Sequence, residues 1–346
     1  MADRMERFDV TIIGGGPAGL YAAFYGGLRD MSVKLIEAGS ELGGRLRSYA
    51  DKTVWDVGGV PPIRCARLIE QMIRQARTFE PTIVLGQRIA ELERREDGTM
   101  TVVSASGERH HTRALILALG HGVPQPRRLE IEGAQRYEAA NLHYAATADP
   151  GRLRGKTVLL SCCGSGNVSA VRIEELAALA ARVVVVRGRA DLQPSDRSRP
   201  TPSVEYRAPF VVERLHGDGN RIEAVTIARV DGEGDFAGER ERMEVDEVLV
   251  DHGTRSEYGP IVRWGLEKTS WNFDADERLA TRLPGVFVAG DAANYPSKLH
   301  LIAGAISDAA IAVNSAKRYL DPTAPKSAPM STSSAKFADR NKALGL

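Results

Sequence analysis

Six consecutive residues, Gly14-Gly15-Gly16-Pro17-Ala18-Gly19, set glycines at the first, third and sixth positions of a G-x-G-x-x-G pattern. They follow the β-rich stretch Phe8–Ile13 and lead into helix-compatible, mostly apolar residues up to Leu28. Glu37 ends a second β-rich run, Ser32–Glu37, about twenty residues further on, which completes a βαβ unit. In that context Gly14 permits the tight turn, Gly16 lets backbone approach a pyrophosphate, and Gly19 lets the helix lie close to the strand. The phosphates would rest on the helix N-terminus and Glu37 would accept hydrogen bonds from ribose hydroxyls. A dinucleotide site is therefore expected here.

A second turn of this kind follows the strand-like run KTVLL that starts at Lys156. Gly164, Gly166, Asn167 and Val168 keep its G-x-G start, but Ser169 stands where a third small residue is expected. A helix over Val168–Ala181 and a strand ending at Val186 complete this unit. Arg187 and Arg189 come next, and guanidinium groups suit bidentate phosphate binding. The lack of an acidic residue after that strand argues against strong NAD preference. The two arginines read equally well as solvated cations on a domain whose nucleotide site has decayed. Cys162-Cys163 precedes the turn. A thiol beside a helix N-terminus can react, but adjacent cysteines close a strained ring, so the pair reads as two small apolar residues at a strand end. His121 reads as a loop histidine or a minor proton source, and Trp55, Trp264 and Trp271 as core or interface residues.

These groups need two scaffolds. A chain of 346 residues exceeds what one core usually organises, and two βαβ patterns predict two nucleotide-type domains. Further strands are expected at Thr82–Leu85, Arg88–Arg94, Met100–Ser104, Arg113–Ala118, from Phe210 onward, at Glu247–Val250 and at Gly285–Ala289, and helices at Arg64–Thr78 and Gly304–Tyr319. Residues 191–203, rich in Pro, Ser and Arg, read as a loop, and Asp231–Gly234 as a hairpin tip. The tail after Asp321-Pro322 is poor in hydrophobic residues and on composition is disordered. Forty-six basic against forty-five acidic residues give a net charge of +1, too little for non-specific nucleic-acid binding. No apolar run is long enough to span a membrane, the N-terminus MADRMERFDV is too charged for a signal peptide, and three cysteines form no disulfide framework or zinc spacing. A cytoplasmic location is expected, with no nucleic-acid, membrane or metal partner.

The chain resembles the two-domain flavoprotein disulfide reductases, and within them the thioredoxin-reductase-like ferredoxin–NADP⁺ reductases. The resemblance runs nearly end to end and is carried by DVTIIGGGPAGLYAAFYGGLR, IEAGSELGGRL, YADKTVWDVGGVPPIR, GHGVPQPRRLEIEGAQRYEAANLHY, GVFVAGDAANYPSKLHLIAGAISDAAIAVNSAKRYLDP and a terminal STS. It implies an α/β fold of two Rossmann-like, three-layer (ββα) domains, the first discontinuous. Residues 1–118 and 252–322 would form the FAD-binding domain, 119–251 an NAD(P)H-binding-like domain, and 323–346 a tail that lids the partner subunit's flavin in a homodimer. FAD would be held by Gly14, Gly16, Pro17, Ala18, Gly19, Glu37, Gly44, Arg45, Val57, Gly290 and Asp291, with Ser331 and Thr332 of the tail. Asp291 would bind the ribityl–phosphate portion, although a carboxylate after GVFVA also reads as a helix N-cap. Tyr49 would stack on the isoalloxazine, and Lys298–Ala309 would aim a helix N-terminus at the flavin pyrimidine edge. The NADPH candidates are Gly164, Gly166, Asn167, Val168, Arg187 and Arg189.

The implied activity moves electrons between NADPH and ferredoxin or flavodoxin, and the lack of a CxxC pair argues against a thioredoxin-reductase mechanism. The sequence departs from the family in four places. Arg187-Gly188-Arg189 replaces a His-Arg-Arg run, Gln193 a further arginine, Met330 a flavin-stacking histidine, and Asp308 a glutamate. The last two are expected beside the place where electrons arrive. These changes leave open a flavoprotein that has lost NAD(P)H binding and uses ferredoxin or a small organic substrate, and also a non-catalytic FAD-binding protein.

Overall fold

The computed structural model describes residues 6–144, 150–162, 170–188, 203–269 and 271–343. They form two compact units, Met1–Val123 with Glu257–Leu346, and Pro124–Ser256. The principal elements of the first unit begin with β1 (Arg7–Ile13), α1 (Pro17–Leu28), β2 (Val33–Ile36), α2 (Cys65–Ala76), β3 (Thr82–Val84), β4 (Ile89–Arg94), β5 (Met100–Ser104) and β6 (Arg109–Leu117). The second unit supplies β7 (Leu142–Tyr144), β8 (Thr157–Cys162), α3 (Ala170–Leu179), β9 (Arg182–Arg187), β10 (Val204–Arg207), β11 (Phe210–His216), β12 (Ala224–Val230), β13 (Phe236–Glu244) and β14 (Glu247–Val250). The chain then returns to the first unit with β15 (Val286–Val288), α4 (Ile302–Leu320) and α5 (Ala338–Ala343).

In the first unit seven strands form one sheet in the order β3-β2-β1-β6-β5-β4, with β15 also beside β6. Pairing is parallel from β3 to β6 and between β6 and β15, and antiparallel among β4, β5 and β6. β2 and the interior of β1 are buried on both faces, as a parallel strand covered on each side must be. α2 is amphipathic, and Cys65, Leu68, Ile69, Met72 and Ala76 fall on its buried face. α4 instead buries a stripe of small residues, among them Gly304, Ala305, Ala309, Ala312 and Ala316, which lets other backbone approach closely.

In the second unit β7-β14-β8-β9-β10 form a parallel sheet, and β11-β12-β13 an antiparallel one with its β12–β13 turn at Asp231–Gly234. Alternate residues face opposite sides. Leu159, Val184 and Val186 join Val212, Val225 and Ile227 of the antiparallel sheet, whereas Val158, Leu160, Val183 and Val185 join Ile173 and Leu176 of α3. The result is a layer of strands, a second layer of strands and a helix. The segment read as a loop at 191–203 lies outside the described residues apart from Ser203.

The tail corrects the compositional expectation of disorder. It forms short turns at Ser331–Ser333 and Ala335–Phe337 and then α5. Arg29 Nη2 donates to Pro325 O at 2.6 Å, and Lys336 Nζ donates to Leu28 O at 2.8 Å and pairs with Asp30. The Phe337 ring sits 5.7 Å from that of Phe79, and Arg340 donates to Thr78 O. A few long side chains thus order a segment whose average composition is polar. Trp55 and Trp271 are exposed and not core, while Trp264 is half-buried and donates to Ala90 O at 3.0 Å. No helix among the described residues is long and apolar enough to cross a membrane.

Candidate functional site

The loops that leave β1, β2, β6 and β15 lie at the carboxyl ends of four strands of one sheet, where open α/β sheets bind their ligands. After β1, Gly14 has φ of +110° and its N–H donates to Ile36 O at 2.8 Å. A side chain at Gly19 would collide with Gly14 O, so α1 can start directly on the strand turn only with glycine there. In front of Gly16, a Cβ would meet nothing closer than the Gly44 Cα at 3.8 Å. Gly16 is the extended N-cap of α1, Pro17 follows it, no side chain caps the helix, and its first turn holds no acid. Uncapped N–H groups at a helix start carry partial positive charge and can hold an anion.

Glu37, one residue past β2, accepts from Gly15 N at 2.6 Å through Oε2 and from Gly39 N at 2.7 Å through Oε1. Each oxygen keeps acceptor capacity for another donor. Gly43 N donates to Gly15 O at 2.8 Å, and a Cβ on Gly44 would lie 2.8 Å from the Gly16 Cα, so this second glycine pair shares the turn's surface. Gly44, Arg45 and Tyr49 belong to a 3-10 turn, Gly44–Tyr49, in which all three are exposed, while Val57 is buried in the core.

Beyond β15, Asp291 lies between two imidazoles. His121 Nε2 is 3.5 Å from one of its oxygens and His300 Nδ1 is 3.3 Å from the other, with the rings stacked at 6.0 Å. Leu301 is the N-cap of α4, which overturns the reading of Asp291 as a cap for that helix. Tyr258, whose hydroxyl donates to Gly120 O at 3.0 Å, is pushed up to about 12 by burial and by the charge of Asp291.

Asp308 is fully buried on α4, not at a surface where a redox partner could arrive. Its carboxylate pairs with Lys298 Nζ at 2.8 Å and accepts from Tyr295 Oη at 2.6 Å and Gly290 N at 3.0 Å. Burial, then the hydrogen bond to Asp308 and its charge, raise the Tyr295 phenol above its ordinary range, keeping it a donor at neutral pH. Tyr295, Lys298 and His300 went unrecognised as individual site residues in the sequence. The available signal was the position of Asp308 on the small-residue stripe of α4, which marks it as buried and in need of partners.

Of the tail residues, Met330 is 75% exposed, and Ser331 and Thr332 are exposed beside it. In the second unit Arg187 ends β9 opposite Cys162, buried, with its guanidinium 5.8 Å from the centre of the Tyr206 ring. That corrects its reading as a solvated surface cation. Cys162 is buried, as expected. Gly164, Gly166, Asn167, Val168, Cys163, Arg189 and Gln193 lie outside the described residues.

Comparison with known proteins gives a consistent pattern. The pyridine nucleotide-disulphide oxidoreductase family matches residues 8–316. A protein named Ferredoxin--NADP reductase 1 from Bacillus pumilus is 41% identical over 348 residues, 99% of this chain and 98% of its own length. Its namesake from Bacillus velezensis is 44% identical over 336 residues, 96% of this chain and 98% of its own. Among solved structures, Lactococcus lactis thioredoxin reductase aligns with a TM-score of 0.63 at 22% identity, covering 90% of this chain and 99% of that one, a likeness of fold.

Proposed function

The chain belongs to the pyridine nucleotide-disulphide oxidoreductase family, and on that premise we propose that it is an FAD-dependent enzyme moving electrons between NADPH and ferredoxin or flavodoxin. One observation carries the flavin assignment: an uncapped helix start at Gly16, where a Cβ would touch only the Gly44 Cα at 3.8 Å, with the carboxylates of Glu37 and Asp291 one and three residues beyond two other strands of the same sheet, β2 and β15. These residues fit a dinucleotide. The N-terminus of α1 would take the pyrophosphate, Glu37 the adenosine ribose and Asp291 the ribityl chain. Bound FAD would supply the chemistry, accepting a hydride and releasing single electrons. The chain's own groups bind, orient and shield.

Gly44, Arg45, Val57 and Tyr49 would line the flavin, Tyr49 by stacking, and the N-terminus of α4 would favour negative charge at the pyrimidine edge. The unit Pro124–Ser256 would bind NADPH, with the buried Arg187 and with Arg189 on the 2′-phosphate and Gly164, Gly166, Asn167 and Val168 at the turn. The exposed Met330, Ser331 and Thr332 would cover the flavin of a second copy in a homodimer, and methionine there would exclude water without relaying protons. The enzyme would act in the cytoplasm. Relatives that match end to end and are named ferredoxin--NADP reductase do not favour a loss of nucleotide use or a non-catalytic role. Purified protein tests the flavin assignment. It should carry FAD, or take up one per chain with quenching of flavin fluorescence; protein that neither holds nor binds FAD contradicts it.

A further inference from the structure

We propose that Asp308 is a positioning residue: clamped by Lys298 and Tyr295, it fixes the Gly290-Asp291 turn and the start of α4 against the flavin, and so sets both flavin affinity and potential. The proposal rests on the flavin reading above. Its ground is the placement of the three groups that grip one carboxylate. Gly290, Tyr295 and Lys298 all lie on the connection from β15 to α4, at its beginning, middle and end, and all bond to Asp308 from the second turn of that helix. Lys298 Nζ also donates to Leu299 O at 2.9 Å, which carries the clamp to the residue before His300.

The ion pair is dry, with Asp308 at 0% and Lys298 at 5% side-chain exposure. Burying two charges gains little stability over an apolar packing of equal volume. What such a pair supplies is a unique position, and here the position held is that of Asp291. Gly290, at φ of +72°, has no room for a side chain, because a Cβ would lie 2.9 Å from the Cβ of Ala18 at the start of α1 and 3.7 Å from that of Ala305 on α4. The turn is thus seated between the helix start proposed for the pyrophosphate and the helix proposed for the pyrimidine edge, and Asp308 holds it there. α4 has no side-chain cap, so its first N–H groups keep their orphan character and their effect depends on where the connection places them.

The test uses holoprotein carrying Asp308→Asn, Lys298→Met or Tyr295→Phe, with Asp308→Glu as the variant that keeps the carboxylate. Asp308→Asn and Lys298→Met should raise the FAD dissociation constant about tenfold or more. They should also lower the two-electron midpoint potential by about 30 mV, the equivalent of a tenfold loss of preference for reduced flavin. Tyr295→Phe, which removes one hydroxyl, should shift both in the same direction by less, and it keeps the test open if Asp308→Asn does not fold. Asp308→Glu should recover most of the wild-type potential. Variants that melt earlier but keep the wild-type dissociation constant and potential would show a brace for stability alone and overturn the proposal. Wild-type protein that binds no FAD would instead sink the flavin reading itself, and is recognised before any variant is made.

Discussion

Glu37 uses both carboxylate oxygens to hold its own chain, through the amides of Gly15 and Gly39. Glutamine has one oxygen and one donor nitrogen in their place, so Glu37→Gln turns a donor toward a backbone N–H and leaves that group unpaired. FAD affinity should fall about tenfold, read by fluorescence titration, while Gln at the exposed Glu41 serves as the control with no change. Glu37 and Gly14 to Gly19 were legible because their geometry is local: strand, turn and helix follow one another in the chain. The grip on Asp308 was not, since its partners are scattered along a loop and a charged residue in a sequence reads by default as surface. Asp291 was legible as a flavin candidate from the resemblance and from its place, since a carboxylate on a turn after a buried strand can accept ribityl hydroxyls; the competing reading as a helix cap falls because Leu301 stands at the start of α4.

Among the elements, β14 starts with a carboxylate where a parallel strand is otherwise apolar. Glu247 is 1% exposed and is held by Lys156 Nζ at 2.5 Å and His143 Nε2 at 2.7 Å. Burial alone would raise its pKa, but the hydrogen bonds from Lys156 and His143 and their charges outweigh it and lower the carboxyl below its ordinary value. A carboxyl with a depressed folded pKa stabilises fully above its unfolded value of about 4.3, and this is lost as pH falls through the folded value. Melting of the second unit should therefore drop steeply below about pH 4. Glu247→Gln should flatten that drop and cost about 1.5–3 kcal/mol at neutral pH; a slope unchanged by the substitution would exclude Glu247 as its source. The β-branched runs made most strands legible, to within a few residues at their ends. The tail was misread because its order comes from a few of its own side chains, Lys336, Phe337 and Arg340, reaching the end of α1 and the turn after α2, not from average hydropathy. Phe337→Ala should free it: limited proteolysis should cut near Ser331 several-fold faster, with the melting of the core nearly unchanged.

As a whole, the molecule has one parallel-sheet unit inserted in the chain of another, a division expected from length and from two βαβ patterns. The first unit's site follows from residues near in sequence and from the return of β15 and α4 to the same sheet. The second unit presents only Arg187 of its proposed nucleotide contacts among the described residues. Removing residues 329–346 should leave FAD bound but open to collisional quenching by iodide, if these tails shield flavins; quenching identical to that of the full chain would exclude a lid. The proposed reaction is electron transfer from NADPH through the flavin to a one-electron carrier. The direct measurement is anaerobic stopped-flow mixing of the FAD-loaded protein with NADPH, followed by addition of oxidised ferredoxin. The flavin band should bleach within the turnover time and return as ferredoxin is reduced. A flavin spectrum that NADPH leaves oxidised would contradict the account.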